Sequence, residues 1–210
     1  MKKILLVDDH SIIRTGIKFL LGMDLDSFHF DEAADGETAC EMVQKFNYHL
    51  IIMDINMPGT DTFLVVEKIL NQKPNSKILM FTINSETIYA KRFLKLGVKG
   101  YVRKDAPADK IREAVLTVLN DRLYFSKSLT ESLAAEVSSN GKNNPFDNLS
   151  PRQFEIVQLL IRGKKVSDIC VQMNLHSSTV STQKNRIYEK LNVNNLIDLY
   201  AISKMHLIHV

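Results

Sequence analysis

Asp8, Asp9, Asp54, Thr82 and Lys104 are the residues whose types and positions could do chemistry together. Asp8-Asp9 ends the apolar run Ile4-Leu5-Leu6-Val7, and Asp54 ends the run Leu50-Ile51-Ile52-Met53, with Pro58-Gly59 just beyond as a turn. Thr82 ends Ile78-Leu79-Met80-Phe81, and Lys104 follows Gly100-Tyr101-Val102-Arg103. A short apolar run reads as a strand buried on both faces, so each polar group stands at the carboxyl end of a strand. Each residue alone is an ordinary loop or cap residue. At corresponding strand ends they form a complementary set. Three carboxylates make a hard-oxygen site suited to Mg²⁺, which keeps several of its waters. Such an ion neutralises charge on an incoming phosphoryl group. Asp54 then serves as nucleophile and becomes an acyl phosphate. Lys104 supplies a point charge to one phosphoryl oxygen, and the Thr82 hydroxyl serves another.

The elements that must position these groups follow from periodicity. Strand-like runs recur at Ile4–Val7, Phe28–Ala33, Leu50–Met53, Lys77–Phe81 and Gly100–Val102. Helical patterns alternate with them. Ile13, Ile17, Leu20 and Leu21 make the first stripe, with Ser11 placed to cap it. Further helices are expected at about 37–46, 63–70 and 86–96. The last carries Ile111, Val115, Val118 and Leu119 on one stripe, with Pro107 in its first turn. Five alternating units imply an α/β fold, a parallel sheet covered by helices on both faces. Such sheets bind ligands beyond the carboxyl ends of their strands.

This half resembles the receiver domain of two-component response regulators. The match rests on Val-Asp-Asp-His (7–10), Met-Asp-Ile-Asn-Met-Pro-Gly (53–59), Thr82 and Gly-Tyr-Val-Arg-Lys (100–104), and spans residues 1–120. The resemblance implies a flavodoxin-like doubly wound sheet of order 2-1-3-4-5. It implies that Asp54 accepts a phosphoryl group from a cognate histidine kinase or a phosphotransfer protein. Asp8, Asp9, Asp54 and the Asn56 main-chain carbonyl would hold Mg²⁺. Thr82 and Tyr101 would be a switch pair, the hydroxyl moving toward the phosphate as the ring turns inward. One departure is Ile83, where Ala often follows the switch Thr; its bulk is expected to slow phosphoryl entry or hydrolysis. Ile12 lies off the buried stripe. It is either a solitary exposed apolar residue or a kinase-docking contact.

Residues 121–147 are expected to be a linker. Leu129, Leu133 and Val137 allow a short helix, and the polar run 138–145 places the domain boundary. Residues 148–210 then read as a small all-α unit of four helices. Ser150 caps the first and Pro151 opens it; Phe154, Val157, Leu160 and Ile161 face inward, and Gly163 ends it. A short helix at 166–173, a turn at 174–176 and a helix from Ser177 or Ser178 to Leu191 make a helix-turn-helix pattern. The fourth runs over about 195–205. The third presents Thr179, Ser181, Thr182, Lys184, Asn185 and Arg186 before any acid, a face suited to phosphates and base edges in a major groove. The competing reading is a plain four-helix interaction domain.

The whole segment resembles the LuxR-type DNA-binding domain of the NarL/FixJ subgroup. The match rests on Leu-Ser-Pro-Arg (149–152), Gly163, Ser-Asp-Ile (167–169), Thr-Val (179–180) and Lys-Leu-Asn-Val (190–193). It implies binding to double-stranded DNA as a homodimer, with Leu196, Leu199 and Ile202 on the last helix as dimer contacts. Two departures are Ser181, where Lys is common, and Gln183, where His is common. The Lys lost at Ser181 removes a phosphate contact and is expected to alter affinity or site preference, with Lys184 and Arg186 compensating.

Charge and composition set bounds. Residues 1–120 carry 16 Lys and Arg against 16 Asp and Glu, whereas residues 148–210 carry 8 against 4, a basic excess that permits nucleic-acid binding. Cys40 and Cys170 lack the paired spacing of a disulfide frame or zinc site. No apolar run reaches the ~20 residues of a membrane helix, and no secretory pattern opens the chain, so no membrane partner and a cytoplasmic location are expected. The chain reads as a phospho-acceptor transcription factor rather than a turnover enzyme. A Mg²⁺-dependent phosphatase would want a second Asp where Asn56 stands. A nucleotide-binding module would want a Gly-rich loop where Asp8-Asp9 stands. A regulator that ignores phosphate and works by dimerisation alone is the remaining alternative.

Overall fold

A computed structural model of the chain describes residues 1–22, 28–84, 86–127, 129–131 and 144–205. The chain divides into two compact units, Met1–Ala135 and Glu136–Val210.

In the first unit, β1 (Lys2–Val7), β2 (Phe28–Ala33), β3 (Leu50–Met53), β4 (Ile78–Thr82) and β5 (Gly100–Arg103) alternate with α1 (Ser11–Gly22), α2 (Gly36–Lys45), α3 (Thr62–Gln72), α4 (Glu86–Leu96) and α5 (Ala108–Leu119). The strands form one parallel sheet in the order β2-β1-β3-β4-β5. Side chains alternate across a strand, and here both faces are apolar. Leu5, Val7, Ile51, Met53, Ile78 and Met80 pack with residues of α2, α3 and α4, including the fully buried Phe93. Ile4, Leu6, Leu50, Ile52, Leu79 and Phe81 pack with α1 and α5. Truncating a core Phe such as Phe93 to Ala costs roughly 3–5 kcal/mol.

The order reverses beside β1, which pairs with β2 on one side and β3 on the other. Val7 is in register with Met53, and the Asp54 N–H donates to the Val7 carbonyl at 2.9 Å. The residues that follow, Asp8 and Asp54, are thus placed side by side at the switch point, where open α/β sheets bind ligands. Asp35 and Asp61 cap α2 and α3 through their carboxylates. Ser11 falls inside α1, whose first turn bonds to the His10 carbonyl, so it is not the cap.

Part of the expected linker is bound to the first unit. The Tyr101 N–H donates to the Tyr124 carbonyl at 2.9 Å, and the Tyr124 N–H donates to the Lys99 carbonyl at 3.0 Å. Gly100 and Tyr124 thereby make a parallel bridge at the β5 edge. A Cβ on Gly100 would lie 2.8 Å from Leu79 Cδ1 and from Val118 Cγ2, so any other residue there would force those core side chains to shift. Beyond the bridge, the Ser126 N–H donates to Glu86 Oε1 at 2.7 Å, and Phe125 and Leu129 pack on the core under α4. The short helix expected through Leu133 and Val137, and most of the polar run at 138–145, lie outside the described residues.

In the second unit a 3₁₀ turn (Pro145–Asn148) leads into α6 (Pro151–Ile161), α7 (Val166–Met173), α8 (Ser177–Leu191) and α9 (Leu196–Met205). Ser150 closes a reciprocal capping box with Gln153 at the start of α6. Gly163 follows α6 at φ +76°, and Asn174 and Asn192 end α7 and α8 in the left-handed region. Neither Ser177 nor Ser178 caps α8: His176 holds that position and makes no side-chain cap bond. Phe146, Ile156, Val157, Ile169, Val180, Ile187 and Leu199 are fully buried.

Candidate functional site

Three strand ends of the first unit converge on Lys104. Asp8 and Asp54 are both 4 % exposed. The Lys104 ammonium lies 2.6 Å from Asp8 Oδ2 and 2.9 Å from Asp54 Oδ2. Its own N–H donates to the Thr82 carbonyl at 2.9 Å, which fixes it beside β4. Burial pulls the ammonium's pKa down, but Asp8 and Asp54 together outweigh this and hold it above the ordinary lysine value. The second Asp54 oxygen, Oδ1, accepts the Ile55 N–H at 2.7 Å. Both oxygens of Asp54 are therefore oriented by donors.

Asp9 stands beside this pair, its Oδ1 2.9 Å from His10 Nδ1. Asp8, Asp9 and His10 bring ligand atoms within 4.8 Å of one another. Asp8 Oδ2 and Asp9 Oδ1 are buried and accept no well-formed hydrogen bond. Asp8 Oδ2 meets the Lys104 ammonium and Asp9 Oδ1 the His10 ring at ion-pair distance, and two such buried carboxylate oxygens fit a hard divalent cation such as Mg²⁺. The sequence reading passed over His10, whose side chain is mostly exposed. It also passed over Arg14, which donates to the Asp8 carbonyl and holds Glu32.

Thr82 is fully buried, and its hydroxyl accepts the Asn84 N–H at 3.4 Å. Tyr101 is 3 % exposed, and its hydroxyl donates to the Asn84 carbonyl at 3.2 Å. Burial, followed by the charge of Glu86, pushes that hydroxyl well above the ordinary tyrosine range, so it is a donor at any physiological pH. Asn84 also exchanges amide hydrogen bonds with Asn56, at 2.8 and 3.2 Å. Asn84 was missed from the sequence. Its signal was its place two residues beyond Thr82, matching Asn56 two residues beyond Asp54. Ile83 between them is 63 % exposed, and Ile12 on α1 is 73 % exposed.

In the second unit Thr179, Ser181, Thr182, Asn185 and Arg186 are exposed along α8. The Thr182 hydroxyl donates to the Ser178 carbonyl at 2.8 Å. Lys184 is half-buried, its ammonium 5.4 Å from the Tyr188 ring centre, so it lies on the flank of the helix. Gln183 turns toward α6 and is bonded to Gln153. One expected dimer contact is corrected. Leu199 is fully buried within its own unit and is not free to meet a partner. Among the described residues, the exposed large apolar side chains of α9 include Leu196, Ile197 and Tyr200, and Ile202 is half-buried.

Residues 4–116 match the model of the response regulator receiver domain, and residues 147–203 match that of the bacterial regulatory proteins of the luxR family. Among curated relatives, the oxygen regulatory protein NreC of Staphylococcus carnosus is 34 % identical, over 96 % of this chain and 97 % of its own. The response regulator GacA of Pseudomonas syringae pv. syringae is 31 % identical, over 98 % and 97 %. Among solved structures, the RcsB response regulator of Salmonella typhimurium aligns with a TM-score of 0.56 at 25 % identity, covering 98 % of this chain and all of that one. An RcsB–DNA complex aligns at 0.58 and 24 % identity over 97 % and 98 %, which speaks to the fold.

Proposed function

Because the chain belongs to the two-component response regulators that join a receiver domain to a LuxR-type DNA-binding domain, we propose that phosphorylation of Asp54 controls its binding to double-stranded DNA. The donor is a histidine kinase or a phosphotransfer protein. The observation that carries this reading is the Lys104 ammonium held between Asp8 and Asp54 at the sheet's switch point.

An Asp54 carboxylate oxygen attacks phosphorus, the bond to the donor's nitrogen breaks, and the electron pair leaves with the imidazole. The product is an acyl phosphate on Asp54. Asp8, Asp9, Asp54 and the Asn56 carbonyl would hold Mg²⁺, which when bound supplies charge neutralisation at the phosphoryl oxygens. Lys104 keeps its charge and shifts from Asp54 to the new phosphoryl group. Thr82 gives up its weak 3.4 Å contact with Asn84 and donates to another phosphoryl oxygen. Tyr101 holds the Asn84 carbonyl in the inward position, which favours that rearrangement. The chain remains a regulator that is slowly dephosphorylated in its own pocket, not a turnover enzyme.

The exposed face of α8 supplies the DNA contact, Arg186 to phosphate and Thr179, Ser181, Thr182 and Asn185 to base edges. Lys184 reaches phosphate from the flank. The Salmonella typhimurium RcsB structure is described in terms of DNA interaction, which agrees with this use of the second unit. One small module binds weakly at physiological salt, so the working form is a homodimer on paired half-sites. Leu196, Ile197 and Tyr200 are its contacts, with Ile202 at their edge. Residues 1–120 form the receiver, 121–147 the connection and 148–210 the output. No described helix is long and apolar enough to cross a membrane, and a cytoplasmic site of action is proposed.

The test uses the full chain with Mg²⁺ and acetyl phosphate. Wild type takes up one phosphoryl group per chain and footprints genomic DNA more tightly when labelled. Asp54→Ala takes up none and stays folded. Stoichiometric labelling of Asp54→Ala would overturn the assignment.

A further inference from the structure

Glutamine is seldom buried without full hydrogen bonding, and Gln153 is 5 % exposed. Its Oε1 accepts the Ser150 N–H at 3.1 Å and the Lys190 ammonium at 3.0 Å. Its Nε2 donates to Gln183 Oε1 at 3.0 Å. One side chain at the start of α6 thus grips α8 at two places. Gln183 and Lys190 are seven residues apart, about 20° short of two full turns and roughly 10 Å along the axis. They lie on one flank of α8, roughly opposite the exposed Asn185 and beside Arg186, which is three residues after Gln183 and four before Lys190. Lys190 also donates to the Asn148 carbonyl at 3.1 Å, tying the same flank to the turn before α6. The neighbouring Arg152 donates to the Met173 carbonyl at the end of α7. Adjacent residues of α6 therefore hold both helices of the helix-turn-helix.

Apolar packing by Val180, Ile187 and Leu191 gives α8 its inner side. It is non-directional and tolerates small rotations. A side chain reading a base edge tolerates little, because the supporting geometry must hold to about 0.5 Å. From this we infer that Gln153 is a positioning residue for DNA recognition. Through Gln183 and Lys190 it sets the rotation of α8, and Gln183 serves this link rather than reading bases. The inference rests on the DNA-binding reading of the second unit and adds to it the determinant of sequence discrimination.

The experiment selects duplexes with the full wild-type chain from a random-sequence library. Affinity for the selected duplex and for a scrambled one is then measured against salt. Gln153→Met keeps length and apolar packing but can neither donate nor accept these bonds. Gln183→Met cuts the same link at a half-exposed position, where folding is not at stake. Both are expected to lose about tenfold in discrimination, with scrambled-duplex affinity and salt slope unchanged. The double variant should lose no more than Gln153→Met alone, because the link to Gln183 is being cut twice. Gln153→Glu should restore discrimination to within about twofold. Its carboxylate still accepts from Ser150 and Lys190, and the Gln183 amide can turn to donate to it. Full discrimination in Gln153→Met despite a lower melting temperature would make the residue merely structural and overturn the inference. Loss in Gln183→Met alone, or additive losses in the double variant, would overturn it too, by making Gln183 a direct reader. A wild-type chain that enriches no duplex overturns the DNA-binding reading and this inference with it.

Discussion

Asn56 and Asn84 exchange two amide hydrogen bonds, at 2.8 and 3.2 Å, and so lock the loop after Asp54 to the loop after Thr82. The two residues are 28 positions apart, and each stands two beyond a residue assigned to phosphoryl chemistry. Asn84→Ala removes both bonds and spares the carbonyl that Tyr101 holds. At ~1 kcal/mol for the pair, the loops close less often and water reaches the acyl phosphate about fivefold more often. Loss of label after acetyl phosphate is removed measures this. A lifetime equal to wild type would show that the amide pair does not shield the site.

Glu32 bridges β2 to α1 through Lys18 at 2.5 Å and Arg14 at 2.6 Å. Hydrogen bonds from Lys18 and then Arg14 lower its pKa below the ordinary glutamate value. A carboxyl lowered on folding stabilises above its unfolded pKa of about 4.3, and that contribution is lost as pH falls through the lower folded value. Glu32→Gln should therefore melt below wild type by a constant margin above pH ~5, converging with it near pH 3. Glu32 and Lys18 are each about a third exposed, so the margin corresponds to roughly 0.5 kcal/mol. Melting curves across that range decide it; a gap that widens toward acid would reverse the sign and exclude the assignment.

Glu86 accepts the Ser126 N–H at 2.7 Å and so ties the segment after α5 to the first turn of α4. Hydrogen bonds to charged groups contribute ~1.5–3 kcal/mol. Glu86→Ala should loosen the segment and speed amide exchange at Tyr124 and at Tyr101, which bonds to its carbonyl. Hydrogen exchange of the full chain reads both amides directly. Unchanged protection would mean that Phe125 and Leu129 hold the segment by packing alone.

Ile83 lies exposed between Thr82 and Asn84, the two groups whose 3.4 Å contact must loosen for Thr82 to reach a phosphoryl oxygen. Ile83→Ala is expected to raise both the rate of labelling by acetyl phosphate and the rate of hydrolysis, each by a few-fold, with no change in stoichiometry. Rates matching wild type would remove Ile83 from the gating of the pocket.

The sequence by itself determined the elements and the ends at which chemistry could sit. Ile4–Val7 and Leu50–Met53 are apolar without alternation and too short for a helix, the pattern of a strand covered on both faces, which puts the aspartates after them at a sheet edge. The Ser150 cap and the glycine at 163 were equally local, because caps involve residues within one turn. Tertiary structure decided which groups touch. Lys104 meets Asp54 across 50 residues, Asn84 meets Asn56 across 28 and Gln183 meets Gln153 across 30. No periodicity encodes such pairs, since each depends on the angle at which two whole elements pack. Leu199 shows the same limit from the other side. Its spacing marks an apolar face of α9, but only the packed unit determines whether that face is spent on its own core or left for a partner.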